Sequence, residues 1–194
     1  IRFSHRYAKL AREMAAEETD ETRKAELISL AETCEWVPEN PARNLRDAMQ
    51  AHWFAHLAAE LEQIGCGYSE AYLGQNLEPY FQADKAAGLI DYDDAVFMFQ
   101  NLTIKLNELN YYYGAKVSLQ NSADLGQSIT LAGYTEEGQD ATAEMDYVIV
   151  DACTYLGLPQ PPLSLCLTPK TPGKLIEKTL DCIATGVGMP QFVN

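Results

Sequence analysis

Three short β-prone runs, separated by two helical patterns, make up the last third of the chain and limit its fold more than any other feature. The predicted strands lie near residues 127–132, 163–167 and 190–193. Between them, residues 142–155 have helical spacing. Thr171 as a cap, with Pro172 at the first helical position, predicts the start of another helix. This order is typical of parallel strands joined by right-handed crossovers, so we predict an α/β fold. Such strands are buried on both faces or closed into a barrel.

The residues before 126 have mostly helical patterns. Predicted helices cover residues 1–18, 20–34, 44–64, 75–87 and 91–109. Asp20, Asn44 and Asp91 are the predicted caps, and Pro79 is expected to interrupt the fourth helix. A loop at residues 65–74 has three glycines in ten residues, which allows close approach of the backbone to another segment or to a ligand. Loops of this kind often carry function.

Length and charge exclude several classes of protein. With 194 residues, 47 % of them hydrophobic, the chain is long enough for one domain with a sizeable core. Its formal net charge of −14 predicts repulsion from nucleic acids and anionic membranes. No apolar run reaches the roughly 20 residues of a spanning helix, so we expect a cytoplasmic protein. Because the chain starts at Ile1 and stops at Asn194 directly after an apolar run, we expect a piece of a longer polypeptide.

Two groups of residues have spacing that could suit a metal, and neither is predicted to bind one. His52, His56 and Glu60 recur at four-residue spacing on one predicted helix, so the imidazoles could share an ion. The intervening residues lack the glutamate of an HExxH motif, and packed or hydrogen-bonded histidines are the preferred interpretation. The acidic residues within 91–94 lack the glycine and spaced ligands of a calcium loop, and helix capping explains them.

The cysteines and glycines also define no complete active site. The five cysteines are scattered and form no CxxC pair, so buried free thiols are expected: Cys34, Cys66, Cys153, Cys166 and Cys182. None has a histidine near it in the sequence to activate it. A GxGxxG motif is absent, and Pro190 stands where a phosphate-binding helix would need free amides. Residue patterns alone therefore predict an α/β fragment without a complete active site.

Several motifs, however, occur in the order found in one enzyme family. Residues 133–165 read GYTEEGQDATAEMDYVIVDACTYLGLPQPPLSL, and residues 186–194 read GVGMPQFVN. These runs resemble the glycyl radical enzymes of the pyruvate formate-lyase superfamily, which show a G-x-x-x-x-G-x-D-A-T-N turn, a Q-P-x-L-S strand and a G-x-G-x-P-x-x-x-N/D strand. Residues 53–57, 75–84 and 94–108 also resemble that family. The resemblance covers nearly the whole chain.

The resemblance implies an internal piece of a ten-stranded α/β barrel of the pyruvate formate-lyase type. Residues 1–125 would form a helical layer, and residues 126–194 would form barrel strands and crossover helices. The full-length protein would be a lyase whose thiyl radical cleaves a carbon–carbon or carbon–heteroatom bond of a small organic substrate, as a dehydratase, decarboxylase or formate-lyase does. A separate S-adenosylmethionine radical activating enzyme would install the glycyl radical, no cofactor would bind directly, and the protein would be a homodimer.

The resemblance also assigns candidate site residues. The catalytic cysteine and the radical glycine of the family would fall beyond Asn194, so no catalytic residue is expected in this chain, and the chain alone should be inactive. By position, Cys66 and Gly67 match a loop whose histidine and serine touch the substrate in several dehydratases. Leu125 and Gly126 match the entry to a barrel strand where many members place an aromatic side chain. These four residues are the predicted substrate-binding residues.

The chain departs from the family at both places, and again at Ala143, often asparagine, and Cys166, often arginine. These departures argue against a diol, choline or hydroxyproline enzyme. Without an aromatic and two polar groups, the pocket should be wider and more apolar, which suits an aryl or alkyl substrate. One alternative is a non-catalytic binding or regulatory paralogue that keeps the barrel without the radical machinery. A helical structural protein is a third interpretation, which the strands of the last third disfavour.

Overall fold

The computed structural model describes residues 1–62, 68–109 and 127–194. Its helices are α1 (Arg2–Glu17), α2 (Glu21–Trp36), α3 (Leu45–Glu62), α4 (Leu73–Ala86), α5 (Tyr92–Asn107), α6 (Glu144–Leu156) and α7 (Gly173–Cys182). Its strands are β1 (Glu70–Ala71), β2 (Ile129–Ala132), β3 (Leu163–Cys166) and β4 (Gln191–Val193). A π-helical turn, Ile183–Val187, follows α7. The chain forms two compact units, residues 1–58 and residues 59–194. None of the described helices is long and apolar enough to cross a membrane.

In the first unit, helices α1 and α2 pack side by side. The buried side chains of α1 are small and recur at helical spacing: Ser4, Ala8, Ala11 and Ala15. Small side chains on this face allow the two helix backbones to approach closely. Arg12 of α1 also forms a two-pronged hydrogen bond with Glu35 of α2, with distances of 2.7 and 2.6 Å from Nε and Nη2 to the carboxylate oxygens. Because both side chains are about half exposed, packing contributes more than this ion pair.

The second unit contains a parallel four-stranded sheet whose strand order, β1-β2-β3-β4, is also the order along the chain. Helix α6 connects β2 to β3, and helix α7 connects β3 to β4. The three predicted strands are therefore confirmed, with boundaries within two residues, and so is their parallel pairing. Strand β1 was not predicted, and β4 is exposed along its whole length.

Helix α6 is the centre of the core of the second unit. Its apolar residues Met145, Val148 and Ile149 are fully buried, and the helix packs against α4, α5 and α7. The buried face predicted for α5 is also confirmed, from Ala95 to Leu106. Leu163 and Leu165 of β3 and Ile129 and Leu131 of β2 are equally buried. The apolar positions of the crossover helix and of the two central strands thus form one continuous core.

Three of the four predicted capping residues, Asp20, Asn44 and Asp91, cap their helices. The carboxylate of Asp20 accepts a hydrogen bond from the Arg23 amide at 2.8 Å, and the side-chain oxygen of Asn44 accepts one from the Asp47 amide at 2.8 Å. Asp91 and Asp94 form a reciprocal capping box, with distances of 2.9 and 3.0 Å from each amide nitrogen to the other carboxylate. These caps satisfy amides that would otherwise be left without partners in the first turn.

Two expectations about helix boundaries are wrong. Pro79 does not interrupt its helix, because α4 runs unbroken from Leu73 to Ala86. Its buried face, which includes Leu77 and Phe81, offsets the hydrogen bond that proline cannot donate. Thr171 is not a cap either. Helix α7 begins at Gly173 after an extended Pro172, because the Thr171 hydroxyl instead accepts a hydrogen bond from the Thr168 amide at 2.9 Å.

Asp151 of α6 joins three helices. Its carboxylate accepts a hydrogen bond from the Tyr92 hydroxyl of α5 at 2.7 Å, and it forms an ion pair with Lys178 of α7. The Asp151 side chain is only 19 % exposed. Burial and this hydrogen bond raise the pKa of Tyr92, so the tyrosine remains a donor at neutral pH. The carboxylate therefore needs both partners to offset the cost of its burial.

Replacing Lys178 by methionine should lower the free energy of unfolding by about 1–3 kcal/mol, because it leaves a mostly buried carboxylate with one partner fewer. Lys105→Met is the matched control, since Lys105 pairs with Glu108 on the surface and both side chains are more than half exposed. We expect the control to change stability by less than about 0.5 kcal/mol. Urea unfolding followed by circular dichroism measures both, and equal effects would contradict a stabilising role for the buried pair.

Candidate functional site

One face of the sheet is lined by small and polar side chains. Successive side chains of a strand point to opposite faces. Ile129, Leu131, Leu163 and Leu165 are fully buried on one face, whereas the residues between them are only half buried. We call this second surface the open face, and on β2, β3 and β4 it consists of Ser128, Thr130, Ala132, Ser164, Cys166, Gln191 and the exposed Val193. It is the surface of the sheet that remains available for a ligand.

The open face offers neutral hydrogen-bonding groups. The hydroxyl oxygens of Ser128 and Ser164 lie 3.2 Å apart, within hydrogen-bonding distance. Thr130 pairs with Ser164 across the ladder, and Ser164 pairs with Gln191. Strands β2, β3 and β4 contain no charged residue. This arrangement can bind a small polar group by hydrogen bonds, but the strands themselves supply no charge for an ionic ligand.

At the carboxyl ends of β1 and β2 the backbone takes an uncommon conformation. Tyr72 and Ala132 have φ values of +57° and +56°, and Gly133 has a φ of +102°. Positive φ is costly for residues other than glycine and tends to occur at functional sites. A Cβ at Gly133 would lie 3.6 Å from both Cβ and Sγ of Cys166, so the Cys166 side chain lies close to this turn. The free thiol therefore lies near the strained edge of the open face.

Helix α4 holds the segment that follows β2, residues 133–143, which we call the β2–α6 connection. The side-chain amide of Gln75 donates hydrogen bonds to the carbonyl oxygens of Ala132 at 3.3 Å and Ala141 at 2.6 Å. Glu78 accepts a hydrogen bond from the Met145 amide at 2.9 Å. Lys85 binds the Glu144 carboxylate at 2.6 Å and thereby lowers the pKa of that carboxyl. Both ends of the connection are thus fixed to the same helix.

Asp146 is a fully buried carboxyl group beside this connection. Its Oδ2 accepts a hydrogen bond from the Ala143 amide at 2.8 Å. Burial raises the pKa of Asp146 to about 7, although the backbone amides of Ala143 and Ala132 favour the charged form. Sequence analysis did not single out Asp146, Gly74 or Gln75 as site residues. The available signals were the glycines at and before the start of α4 and the two acidic residues in the first turn of α6, Glu144 and Asp146.

Some predicted site residues have described positions and others do not. Cys66, Gly67, Leu125 and Gly126 lie outside the described residues, so their assignment stays a prediction. Cys166 lies on the open face, and Ala143 is the buried residue at the amino end of α6. The thiols of Cys34, Cys153 and Cys182 are buried and free, and that of Cys166 is half buried and free. Burial raises the pKa of Cys34 to about 11 and that of Cys153 to about 12, which disfavours the reactive thiolate.

Of the two histidines of α3, His56 is buried and His52 is half buried, and their predicted role as packed rather than metal-binding residues stays a prediction. His52 and His56 have ring centroids 6.0 Å apart, and only 2 % of His56 is exposed. Glu60, at the next four-residue step, is also buried, and its carboxylate accepts a hydrogen bond from the Tyr68 amide at 2.8 Å. The Glu60 carboxylate is therefore engaged by the backbone in this structure.

Parallel strands in chain order, joined by crossover helices, with one helix-covered face and one open polar face, define part of an α/β barrel. The whole chain, residues 1–194, matches the pyruvate formate lyase-like family and belongs to it. The predicted family and the predicted fold class are thereby confirmed.

Similar proteins include enzymes of several activities. The chain is 33 % identical over its full length to isethionate sulfite-lyase of Nitratidesulfovibrio vulgaris, of which it covers 24 %. It is also 33 % identical over its full length to indoleacetate decarboxylase of Tractidigestivibacter scatoligenes, of which it covers 22 %. The glycerol-bound form of the B12-independent glycerol dehydratase from Clostridium butyricum aligns over 99 % of this chain and 24 % of its own, with a TM-score of 0.93 and 31 % identity. The chain spans about a quarter of the length of these relatives.

Proposed function

We propose that this chain is part of the catalytic domain of a glycyl radical lyase. The intact enzyme uses a thiyl radical to cleave a carbon–carbon or carbon–heteroatom bond of a small organic substrate. The observation that supports this most strongly is the agreement of fold and sequence with the glycerol dehydratase over 99 % of the chain. Similarity to a sulfite-lyase and a decarboxylase supports the same class of reaction. The catalytic cysteine and the radical glycine belong to parts of the enzyme outside this chain, and the chain alone is inactive.

In this enzyme the open face forms one wall of the substrate pocket. The hydroxyls of Ser128, Thr130 and Ser164 orient a polar group of the substrate, and the half-buried Cys166 thiol leaves room beside it. An arginine at position 166 would place a positive charge there, so its absence favours a neutral or apolar part of the substrate. One relative is an indoleacetate decarboxylase, and this is compatible with an aryl substrate for the enzyme proposed here.

The four substrate-binding residues inferred from the sequence, Cys66, Gly67, Leu125 and Gly126, belong to this proposal. Cys66 and Gly67 precede β1 in the chain, and Leu125 and Gly126 precede β2. The lack of large polar side chains at these four positions supports a pocket wide enough for an aryl or alkyl group.

The proposed enzyme also has a defined domain organisation, oligomeric state and cellular compartment. The described helices before residue 126 belong to the helical part of the catalytic domain, β1 joins its sheet, and residues 126–194 supply barrel strands with their crossover helices. The enzyme is a homodimer in the cytoplasm of a cell growing without oxygen, and a separate S-adenosylmethionine radical enzyme activates it. The free thiols of the four described cysteines agree with a reducing compartment.

The intact protein, incubated without oxygen with its activating enzyme, S-adenosylmethionine and a reductant, should show the doublet of a glycyl radical by electron paramagnetic resonance. Omitting S-adenosylmethionine is the control and should give no signal. Absence of the doublet in the complete reaction would contradict the proposed enzymatic function and favour a paralogue without radical chemistry.

Once activated, the enzyme should cleave aryl or alkyl substrates faster than a small polar diol, and the reverse order would contradict the apolar pocket.

A further inference from the structure

The first two turns of α4 and the first turn of α6 contact each other through acidic side chains. Glu78 of α4 accepts a hydrogen bond from the amide of Met145 in the first turn of α6. In the other direction, the carboxyl of Asp146, the third residue of α6, lies against Gly74, the second residue of α4. The amino end of α4 has no cap of its own, because Tyr72 at the cap position makes no side-chain hydrogen bond there. The Asp146 carboxyl therefore lies at the uncapped amino end of α4, where its complete burial opposes the preference of a helix for a negative group.

The contact between Asp146 and Gly74 is too close for any other residue at position 74. A Cβ at Gly74 would lie 2.2 Å from Oδ1 and 2.9 Å from Cγ of Asp146. Gly74 has an ordinary helical conformation, so close packing rather than backbone freedom requires glycine here. The carboxyl thus rests directly on the backbone of α4.

This contact is next to the hydrogen bonds that fix the β2–α6 connection. Gln75, the residue after Gly74, binds the carbonyl oxygens of Ala132 and Ala141. Ala132 comes directly before the connection, and Ala141 lies near its carboxyl end. Asp146 itself binds the amide of Ala143, the last residue of the connection. Movement of the Asp146 carboxyl away from α4 would therefore loosen the connection that borders the open face.

We propose that Asp146 is a positioning residue that holds the β2–α6 connection against the first turn of α4, and that it does so most firmly when its carboxyl is neutral. The titratable groups that face it are Glu78 from α4, Asp140 from the connection and the Tyr147 hydroxyl from its own helix, and none of the three carries a positive charge. Within the described residues, none of the charges recorded as acting on this carboxyl is basic. Ionisation would add a buried negative charge to this acidic surrounding. The inference does not depend on the proposed enzymatic activity.

The effect of pH follows from the direction of the shift. The pKa of Asp146 is raised from 3.8 to about 7 in the folded protein. Protonation therefore favours the closed connection fully below the ordinary pKa, and this contribution is lost as pH rises through about 7. If the carboxyl regains its ordinary pKa when the connection opens, opening should become roughly 30-fold more favourable between about pH 5.5 and about pH 8.5.

Hydrogen exchange of the intact protein, measured by mass spectrometry at a series of pH values, tests this. After correction for the intrinsic pH dependence of exchange, peptides that cover residues 133–143 should show the roughly 30-fold rise in wild type. Most of the rise should occur below about pH 7, and exchange should level off above it. In Asp146→Asn, whose amide mimics the neutral acid, the rise should be absent, and exchange above pH 7 should be slower than in wild type. Asp93→Asn, which removes an exposed acid from the first turn of α5, should keep the wild-type profile.

Each outcome decides the inference. A corrected wild-type profile that is flat across this pH range would overturn it without any variant, so failure of Asp146→Asn to fold would not protect it. Equal pH steps in wild type and Asp146→Asn would also overturn it, because a purely structural role for residue 146 predicts a constant difference at all pH values. Since no substrate, radical or activating enzyme enters the measurement, the result is independent of whether the protein is a lyase.

Discussion

Replacing Phe99 by alanine is expected to lower the free energy of unfolding by about 3–5 kcal/mol, the range for deletion of a fully buried aromatic side chain. Phe99 lies on the face of α5 that packs against α6, and none of it is exposed. The surrounding helices leave the site enclosed, so the change would create a cavity rather than a surface groove. Urea unfolding followed by far-ultraviolet circular dichroism measures the loss.

Phe97→Ala is the matched control because it makes the same chemical change two residues earlier on the same helix. Phe97 is 66 % exposed, so its truncation removes little buried area and should change stability by less than about 0.5 kcal/mol. Helix propensity favours alanine over phenylalanine at both positions, so it cannot produce a loss in either variant. A loss of similar size in both variants would therefore contradict the position of Phe99 in the core.

Gly74→Ala is expected to destabilise the protein by about 1–3 kcal/mol, the usual cost of an additional atom in a closely packed site. Alanine at an ordinary helical position normally stabilises by about 0.5–1 kcal/mol relative to glycine, so the expected effect has the opposite sign. The reason is the Asp146 carboxyl, which occupies the space that the new methyl group needs. Thermal and urea unfolding measure the difference.

Gly173→Ala separates this clash from helix propensity. Gly173 is the first residue of α7, and a Cβ there would meet no atom within 4 Å. This control should be neutral or stabilising by up to about 1 kcal/mol. In the double variant Gly74→Ala/Asp146→Ala the clash is removed, so its stability should exceed the value expected from adding the two single effects. Simple additivity, or equal effects of Gly74→Ala and Gly173→Ala, would contradict the close contact.

The order of the main elements could be predicted from the sequence because each has a local signal. Runs such as Leu163–Cys166 are apolar and follow prolines, and α5 has both a capping aspartate and a regular buried face. Strand β1 has no such signal, since Glu70 and Ala71 form no pattern. It exists because the edge of β2 accepts it, with the Glu70 amide donating to the Ser128 carbonyl oxygen at 2.7 Å. Tertiary pairing of this kind is not visible in a short segment.

The candidate site was predictable only in part, for a related reason. Alternation along β3 is enough to place Cys166 opposite the buried Leu165, on the same face as Ser164. The bonds that fix the β2–α6 connection, by contrast, join residues far apart in the chain: Gln75 binds Ala141, 66 residues later, and Glu78 binds Met145, 67 residues later. No local pattern records such a pairing. Cys66, Gly67, Leu125 and Gly126 stay predictions.

The identity of strand order and chain order has a consequence for how the sheet is built during protein synthesis. Among the described strands, each one from β2 onward finds a partner in the described strand that left the ribosome before it, and β1 alone must wait for a later one. The outer edge of β4 is the surface to which any following strand would be added in the same way. The sheet can therefore grow from its amino-terminal strand outward, one crossover helix at a time.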